Sequence, residues 1–300
     1  MSKNKKNNDI HRHERPTENG TGVTLDHAGR VIVVGDVHGC LSELLGLLNK
    51  VGFKQNDSED LLVLAGDLVD RGNASDRVVS FARSLSNAVC VMGNHDNKYV
   101  RYQAHENKKI LNPDYRNPMR LSPDKDAVWR SLGSDDIEYL CKLPSSVFLS
   151  KYDMMVVHAG LLPAHSKRLA ECKNALDEYK VFSGQRVETH IMARYLGPTS
   201  DGNGYRMVSL PSDFSQPEGT KHWSELYNGR HLRVCYGHHV HSTKDVHVTL
   251  GSNENVFTMG LDTGCCFGGR LSALVLDDET PNGRVVGVDA SRKYINRAAN

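Results

Sequence analysis

Five times in this 300-residue chain a short apolar run stops at a small cluster of metal-binding residue types. Val31–Val34 runs into Gly35, Asp36 and His38, and Leu61–Leu64 into Gly66, Asp67, Asp70 and Arg71. Val89–Met92 leads to Gly93, Asn94 and His95, Met154–Val157 to His158, and Leu232–Tyr236 to Gly237 and His238. Runs of four or five mostly apolar residues bounded in this way read as buried strands. Ligands at the same end of successive strands can converge on one point. The pattern therefore predicts a layered fold with a metal-centred site at one edge.

Helical patterns separate these runs. Cys40 to Val51 places leucines at 41, 44, 45, 47 and 48 on one stripe, and Ala74 to Leu85 follows as a second helix. Short apolar strands alternating with helices point to an α/β fold, with ligands at the carboxyl ends of the strands. Four more strands are expected at Asp245–Leu250, Asn255–Met259, Leu271–Leu276 and Arg284–Val288. They suggest a second sheet packed on the first, giving a two-sheet β-sandwich flanked by helices. The polar, helical stretches at about 97–150 and 164–230 read as cap insertions over the strand ends, within a single catalytic domain spanning 29–300. Residues 1–28 are Asn- and Lys-rich without periodicity, and an unstructured tail is expected there.

Apolar content of 39%, charged content of 24% and a net charge of +1 fit a globular protein and argue against a general nucleic-acid binder. An anionic substrate must then be captured by local charge. No stretch has the roughly 18–20 apolar residues of a membrane span, and the N-terminus lacks the apolar segment of a secretory signal. The seven cysteines form no spaced framework, which suits reduced thiols in a cytoplasmic protein. A nuclear location through Lys3, Lys5, Lys6, Arg12 and Arg15 is the alternative. A zinc site through the adjacent Cys265 and Cys266 is disfavoured by their spacing.

Asp36 and His38 are two apart in an extended segment and point the same way, so carboxylate and imidazole can hold one ion together. Asp67 has two oxygens with which to bridge a pair of ions. Asn94 adds a neutral oxygen, and His158 and His238 add ring nitrogens. This mixed set suits Mn, Fe, Zn, Co or Ni and contains no thiolate. A shared carboxylate implies two ions roughly 3.5–4 Å apart, an arrangement of phosphoester hydrolases.

In order and spacing, Gly35-Asp36-x-His38-Gly39, Gly66-Asp67-x-x-Asp70-Arg71-Gly72, Gly93-Asn94-His95-Asp96, His158-Ala159-Gly160 and Gly237-His238 resemble the motifs of calcineurin-like metallophosphoesterases. Phosphoprotein phosphatases of this superfamily usually carry Glu where this chain has Asp96, and Gly where it has Ala159. His158-Ala159-Gly160-Leu161-Leu162-Pro163, Trp223–Gly229 and Leu261-Asp262-Thr263-Gly264-Cys265-x-x-Gly268-Gly269 are closer to the symmetrical diadenosine tetraphosphatases and their eukaryotic relatives. Asp70-Arg71-Gly72 departs from that branch and is typical of the phosphoprotein phosphatases.

The resemblance implies two divalent ions, Mn first, with Fe, Zn, Co or Mg as alternatives. Asp36, His38 and Asp67 would hold one, and Asp67, Asn94, His158 and His238 the other. A water between two cations loses its proton near neutral pH and can attack phosphorus. His95 is the expected general acid, held by Asp70, with Arg71, Arg194 and Asn94 binding substrate. His239 and His241 are further candidates for the metals, and the Asp201–Gly204 loop could cradle phosphate. Tyr195 and Trp223 could stack on a base, although core packing is the commoner fate of such side chains. The expected activity is symmetrical cleavage of a nucleotide polyphosphate to two diphosphates by a monomer. Phosphoprotein, polyphosphate and capped RNA are alternative substrates, and a non-catalytic binding relative is the alternative class.

Overall fold

A computed structural model describes residues 12–17, 20–209, 217–251 and 256–296. The first part of the chain forms β1 (Arg12–Thr17), β2 (Gly20–Leu25), β3 (Arg30–Val34), α1 (Leu41–Lys50), β4 (Asp60–Leu64), α2 (Ser75–Ser84) and β5 (Ala88–Cys90). Then come α3 (Asn94–Leu111), α4 (Pro123–Ser131), α5 (Ser134–Cys141), β6 (Ser146–Leu149) and β7 (Met154–Val157). A mixed segment follows with α6 (Ser166–Ala170), α7 (Ala175–Ser183), α8 (Val187–Met192), β8 (Tyr195–Pro198), β9 (Tyr205–Val208) and β10 (Lys221–His222). The chain closes with β11 (Arg233–Tyr236), β12 (His247–Leu250), β13 (Phe257–Gly260), β14 (Arg270–Leu276) and β15 (Arg284–Asp289).

Two main sheets form, in the orders β15-β14-β3-β4-β5 and β1-β2-β6-β7-β11-β13-β12, as expected of the sandwich. Alternate residues explain why the strands read as continuous apolar runs. Val31, Val33, Leu61 and Val63 join Val147, Met154, Val156 and Cys235 in a core between the sheets. Their neighbours Ile32, Val34, Leu62 and Leu64 face the other way, onto Leu44 and Leu47 of α1 and Val78 and Val79 of α2. Met155, Val157, Val234 and Tyr236 meet Phe182 and Trp223 on the outer face of the second sheet. Strands covered on both faces carry apolar residues at every position. Each such side chain contributes roughly 1.5–3 kcal/mol by leaving water.

Three boundaries differ from expectation. The tail predicted for 1–28 contains β1 and β2, and β2 pairs in parallel with β6 and buries Val23 and Leu25. Gly20-Thr21-Gly22-Val23-Thr24-Leu25 carries little pattern of its own, and its hydrogen bonds come from an edge far along the chain. The first insertion ends earlier than about 150, because β6 lies inside the seven-stranded sheet. The second is only partly helical, since it holds the three-stranded sheet β10-β8-β9. Its strands are short and half-exposed, so they lack the apolar signature of the core strands.

Candidate metal centre at the strand ends

Strands β3, β4 and β5 are parallel, and so are β7, β11 and β13. The loops leaving their carboxyl ends are laced to one another. His38 N–H donates to the Asp67 carbonyl at 2.8 Å, Gly72 N–H to the His38 carbonyl at 2.8 Å, and Gly237 N–H to the His158 carbonyl at 2.7 Å. His38, Asp67, Asp70, Arg71 and His238 all have positive φ, between 44° and 71°. Such a backbone costs about 1–3 kcal/mol at a non-glycine residue and persists only where surrounding contacts impose it. Two glycines allow the close approach: a Cβ at Gly93 would overlap the Asp67 carboxylate, and one at Gly237 would overlap that of Asp36.

Asp67 is the hub. Its Oδ2 lies 3.4 Å from His38 Nε2, and its Oδ1 lies 3.4 Å from His158 Nε2. Two groups of potential ligand atoms share this one residue: His38, Asp67 and His95, and Asp67, His158 and His238. His38 Nδ1 is bonded to the Val69 carbonyl and His158 Nδ1 to the Ala65 carbonyl, each at 2.8 Å. Both rings therefore turn Nε2 and its lone pair toward the centre, the orientation that backbone carbonyls impose on metal-binding histidines. Asn94 Oδ1 is 3.1 Å from His158 Nε2. Asp36 Oδ1 accepts the His238 N–H at 2.9 Å, while Asp36 Oδ2 and His38 Nε2 are buried without a hydrogen-bond partner. Buried polar atoms are rarely left unsatisfied. These orphaned donor atoms fit a bound cation.

The titration behaviour agrees with that fit. Burial, with repulsion from Asp262 and Asp67, raises Asp36 well above the usual carboxylate range. Burial lowers His38 to about 3, lowers His158, and takes His238 well below its ordinary value. The imidazoles are thus held neutral, the form that binds metals.

Beside the centre, His95 Nδ1 sits 2.6 Å from Asp70 Oδ2, and its Nε2 is 3.3 Å from Arg71 Nη2. Burial works to raise Asp70, but hydrogen bonds from His95 and Tyr99 and the charge of Lys125 outweigh it and hold Asp70 below its usual range. The Arg71 guanidinium lies over the Phe267 ring at 5.0 Å. Arg194 Nη2 is 3.3 Å from His238 Nε2, and Arg194 Nε is buried without a partner. All ten residues expected at the site are therefore gathered there.

Other candidates lie elsewhere. Trp223 is fully buried against Tyr236, and Tyr195 packs edge-on to His222 and His239. The Asp201–Gly204 loop closes on itself through Thr199 and Asp201. His241 packs on His222 and His247 rather than beside Asp67. Three neighbours went unpredicted: Tyr99 and Lys125, which bond Asp70, and Asp262. Asp262 is buried, has Oδ2 unpartnered, and is raised to about 6 by burial. It follows β13, a strand whose apolar run is broken by Thr258 and Gly260, so it is a weaker sixth case of a ligand-type residue at a strand end.

The calcineurin-like phosphoesterase family profile matches residues 29–255. The chain is 31% identical over 276 residues to the symmetrical bis(5'-nucleosyl)-tetraphosphatase of Pectobacterium atrosepticum, covering 82% of this chain and 92% of that protein. The enzyme of the same name from Proteus mirabilis is 29% identical over 278 residues, covering 82% and 94%. A crystal structure provisionally assigned as a diadenosine tetraphosphatase superposes with a TM-score of 0.64 at 29% identity, covering 90% of this chain and 98% of that one. A protein serine/threonine phosphatase from Saccharomyces cerevisiae shares the fold at a TM-score of 0.50 and 15% identity, covering 88% and 81%. With five ordered motifs on a matching sandwich, the chain belongs to the calcineurin-like phosphoesterase family and is a metal-dependent hydrolase of phosphoesters or phosphoanhydrides.

Proposed function

We propose that this protein cleaves dinucleoside polyphosphates symmetrically, splitting diadenosine tetraphosphate into two ADP at a dinuclear centre. The observation that carries the reading is the Asp67 carboxylate, shared by two largely buried donor sets with oxygens facing His38 on one side and His158 on the other. The substrate class rests on likeness over most of the chain to enzymes named as symmetrical tetraphosphatases.

Asp36, His38 and Asp67 would hold one divalent ion, and Asp67, Asn94, His158 and His238 the other, with Mn²⁺ the favoured metal. Such a pair supplies Lewis acidity and makes water a nucleophile near neutral pH. The side chains around it do the rest. Arg71 and Arg194 bring two guanidinium groups to the polyphosphate, and a buried guanidinium suits an anion better than any other partner. His95, bonded through Nδ1 to Asp70, presents Nε2 as proton donor to the leaving oxygen. Asp70 is fixed in turn by Tyr99 and Lys125, so the imidazole is held in one orientation. ADP departs readily, so the donor matters more for substrates with poorer leaving groups. The seven free cysteines support a cytoplasmic setting.

The test is incubation with Mn²⁺ and, separately, diadenosine tetraphosphate, polyphosphate, a phosphopeptide and capped RNA, with products separated by anion exchange. ADP as the sole early nucleotide product is expected. A paired release of ATP and AMP, or faster turnover of the phosphopeptide, overturns the reading.

A further inference from the structure

A second histidine cluster lies where the cap sheet meets the seven-stranded sheet. It draws one residue from each of three segments: His222 from β10, His241 from the loop after β11, and His247 from β12. One ring nitrogen from each lies within 4.8 Å of the others. The His222 and His241 rings meet edge-on at 4.5 Å, and His241 stacks on His247 at 3.8 Å.

Three observations separate this cluster from ordinary aromatic packing. His222 is 5% exposed, and its Nε2 is buried without a hydrogen-bond partner. Each ring has one nitrogen turned to a hydroxyl: His222 Nδ1 to Ser224 Oγ at 2.9 Å, with the Ser224 N–H also directed at it from 3.3 Å, His241 Nε2 to Tyr236 Oη at 3.3 Å, and His247 Nε2 to Thr249 Oγ1 at 3.3 Å. Ser224 and Thr249 are themselves linked at 3.0 Å. Outer hydrogen bonds of this kind fix the rings of metal-binding histidines, and where the outer nitrogen gives its proton to the hydroxyl the other is left as a metal donor. Finally, burial and the neighbouring rings keep the group uncharged, with His222 lowered to about 2 and His241 to about 4. Three neutral imidazoles can take a cation near neutral pH without first losing protons.

We propose that His222, His241 and His247 form a mononuclear site for a borderline-soft transition ion, Zn²⁺ foremost, separate from the Asp67 centre. Tetrahedral zinc with bonds of about 2.0–2.1 Å sets its nitrogens roughly 3.3 Å apart, so the rings close by up to about 1.5 Å. Three imidazoles leave the fourth position to water or to the carboxylate of Glu225, whose charge already acts on His247. Among the described residues the set contains no other carboxylate, so it favours Zn²⁺ over Mg²⁺ or Mn²⁺, which prefer oxygen. The ion would pin the cap sheet to the core. His222 pairs with Tyr195 across β10 and β8, and Trp223 N–H donates to the Arg194 carbonyl at 3.0 Å. Strand β8, which begins just after Arg194, would thereby be tied to β12.

The test measures bound metal by mass spectrometry after dialysis of the full chain against Zn²⁺, with Co²⁺ absorption reporting the ligand field. The parent is expected to hold three ions, Asp67→Asn one, and His247→Gln two, as is His241→Gln. Zn²⁺ should raise the melting temperature of Asp67→Asn and leave that of Asp67→Asn with His247→Gln unchanged. His247 and His241 are partly exposed, so these variants should keep the parent circular dichroism, and His222 is left in place. Glutamine variants that retain the parent's ion count overturn the proposal. Should the dinuclear reading fail instead, Asp67→Asn keeps the parent count while the histidine variants still lose one ion.

Discussion

The two sheets bring different chemistry to the centre they share. Loops of the five-stranded sheet carry Asp36, His38, Asp67, Asp70 and Arg71, and helix α3 carries Asn94 and His95. Loops of the seven-stranded sheet carry His158, His238 and Asp262, with Arg194 entering from the cap. The first half is dense in carboxylates, and its hydrogen-bonded pair of His95 and Asp70 is braced by Tyr99 and Lys125. The second half is built of imidazoles that burial keeps neutral. Together they supply a mixed nitrogen and oxygen donor set, which suits Mn, Fe, Zn, Co or Ni.

The sharpest way to break this division is Asp67→Asn, which removes the residue common to both donor sets. Activity should fall by roughly 10⁴-fold or more, with both ions lost from the purified protein. His95→Ala comes next, at about 10²- to 10⁴-fold in kcat. Metal content should stay at the parent value, and the loss should grow with poorer leaving groups. A His95→Ala enzyme as fast as the parent on such substrates would remove the acid role.

Acid should act chiefly through the buried imidazoles of both halves. Burial lowers His190, behind the His158 loop, to about 4, and His38 to about 3. An unfolded histidine takes up its proton near pH 6.5, whereas these folded rings do so only at lower pH. Their contribution to stability is therefore present above about pH 6.5 and lost as pH falls toward the folded values. For the fully buried His190 the loss is on the order of 3 kcal/mol by pH 4. Melting temperatures of chelated protein should decline from pH 6.5 to 4, and His190→Gln should decline less steeply. An equal slope would show that this ring does not carry the effect.

Two smaller effects sharpen the comparison. Asp262→Asn removes a buried carboxylate that acts electrostatically on Asp36, Arg71 and Arg194, and should cost about 10- to 100-fold in metal affinity or activity. Lys125→Ala weakens the support of Asp70 from a partly exposed side chain. It should cost about 1 kcal/mol, roughly fivefold in kcat, with metal content unchanged.

The site was more legible in the sequence than the fold around it. Asp36, Asp67, Asn94, His158 and His238 each follow an apolar run, so local pattern alone ranks them. Asp262 follows a weaker run, since Thr258 and Gly260 interrupt the apolar residues before it. Lys125 and Tyr99 could not be found this way, since their role depends on how α3 and α4 fold back over Asp70. The strand β2 was hidden for a similar reason: its partner β6 lies far along the chain, and pairing rather than propensity makes it a strand. The cap sheet was missed because half-exposed strands need no apolar alternation.

Anomalous diffraction from Mn²⁺-loaded crystals, collected on both sides of the manganese edge, tests the central claim most directly. The account predicts two peaks roughly 3.5–4 Å apart, one on either side of the Asp67 carboxylate. A single peak, or a pair that Asp67 does not bridge, contradicts it.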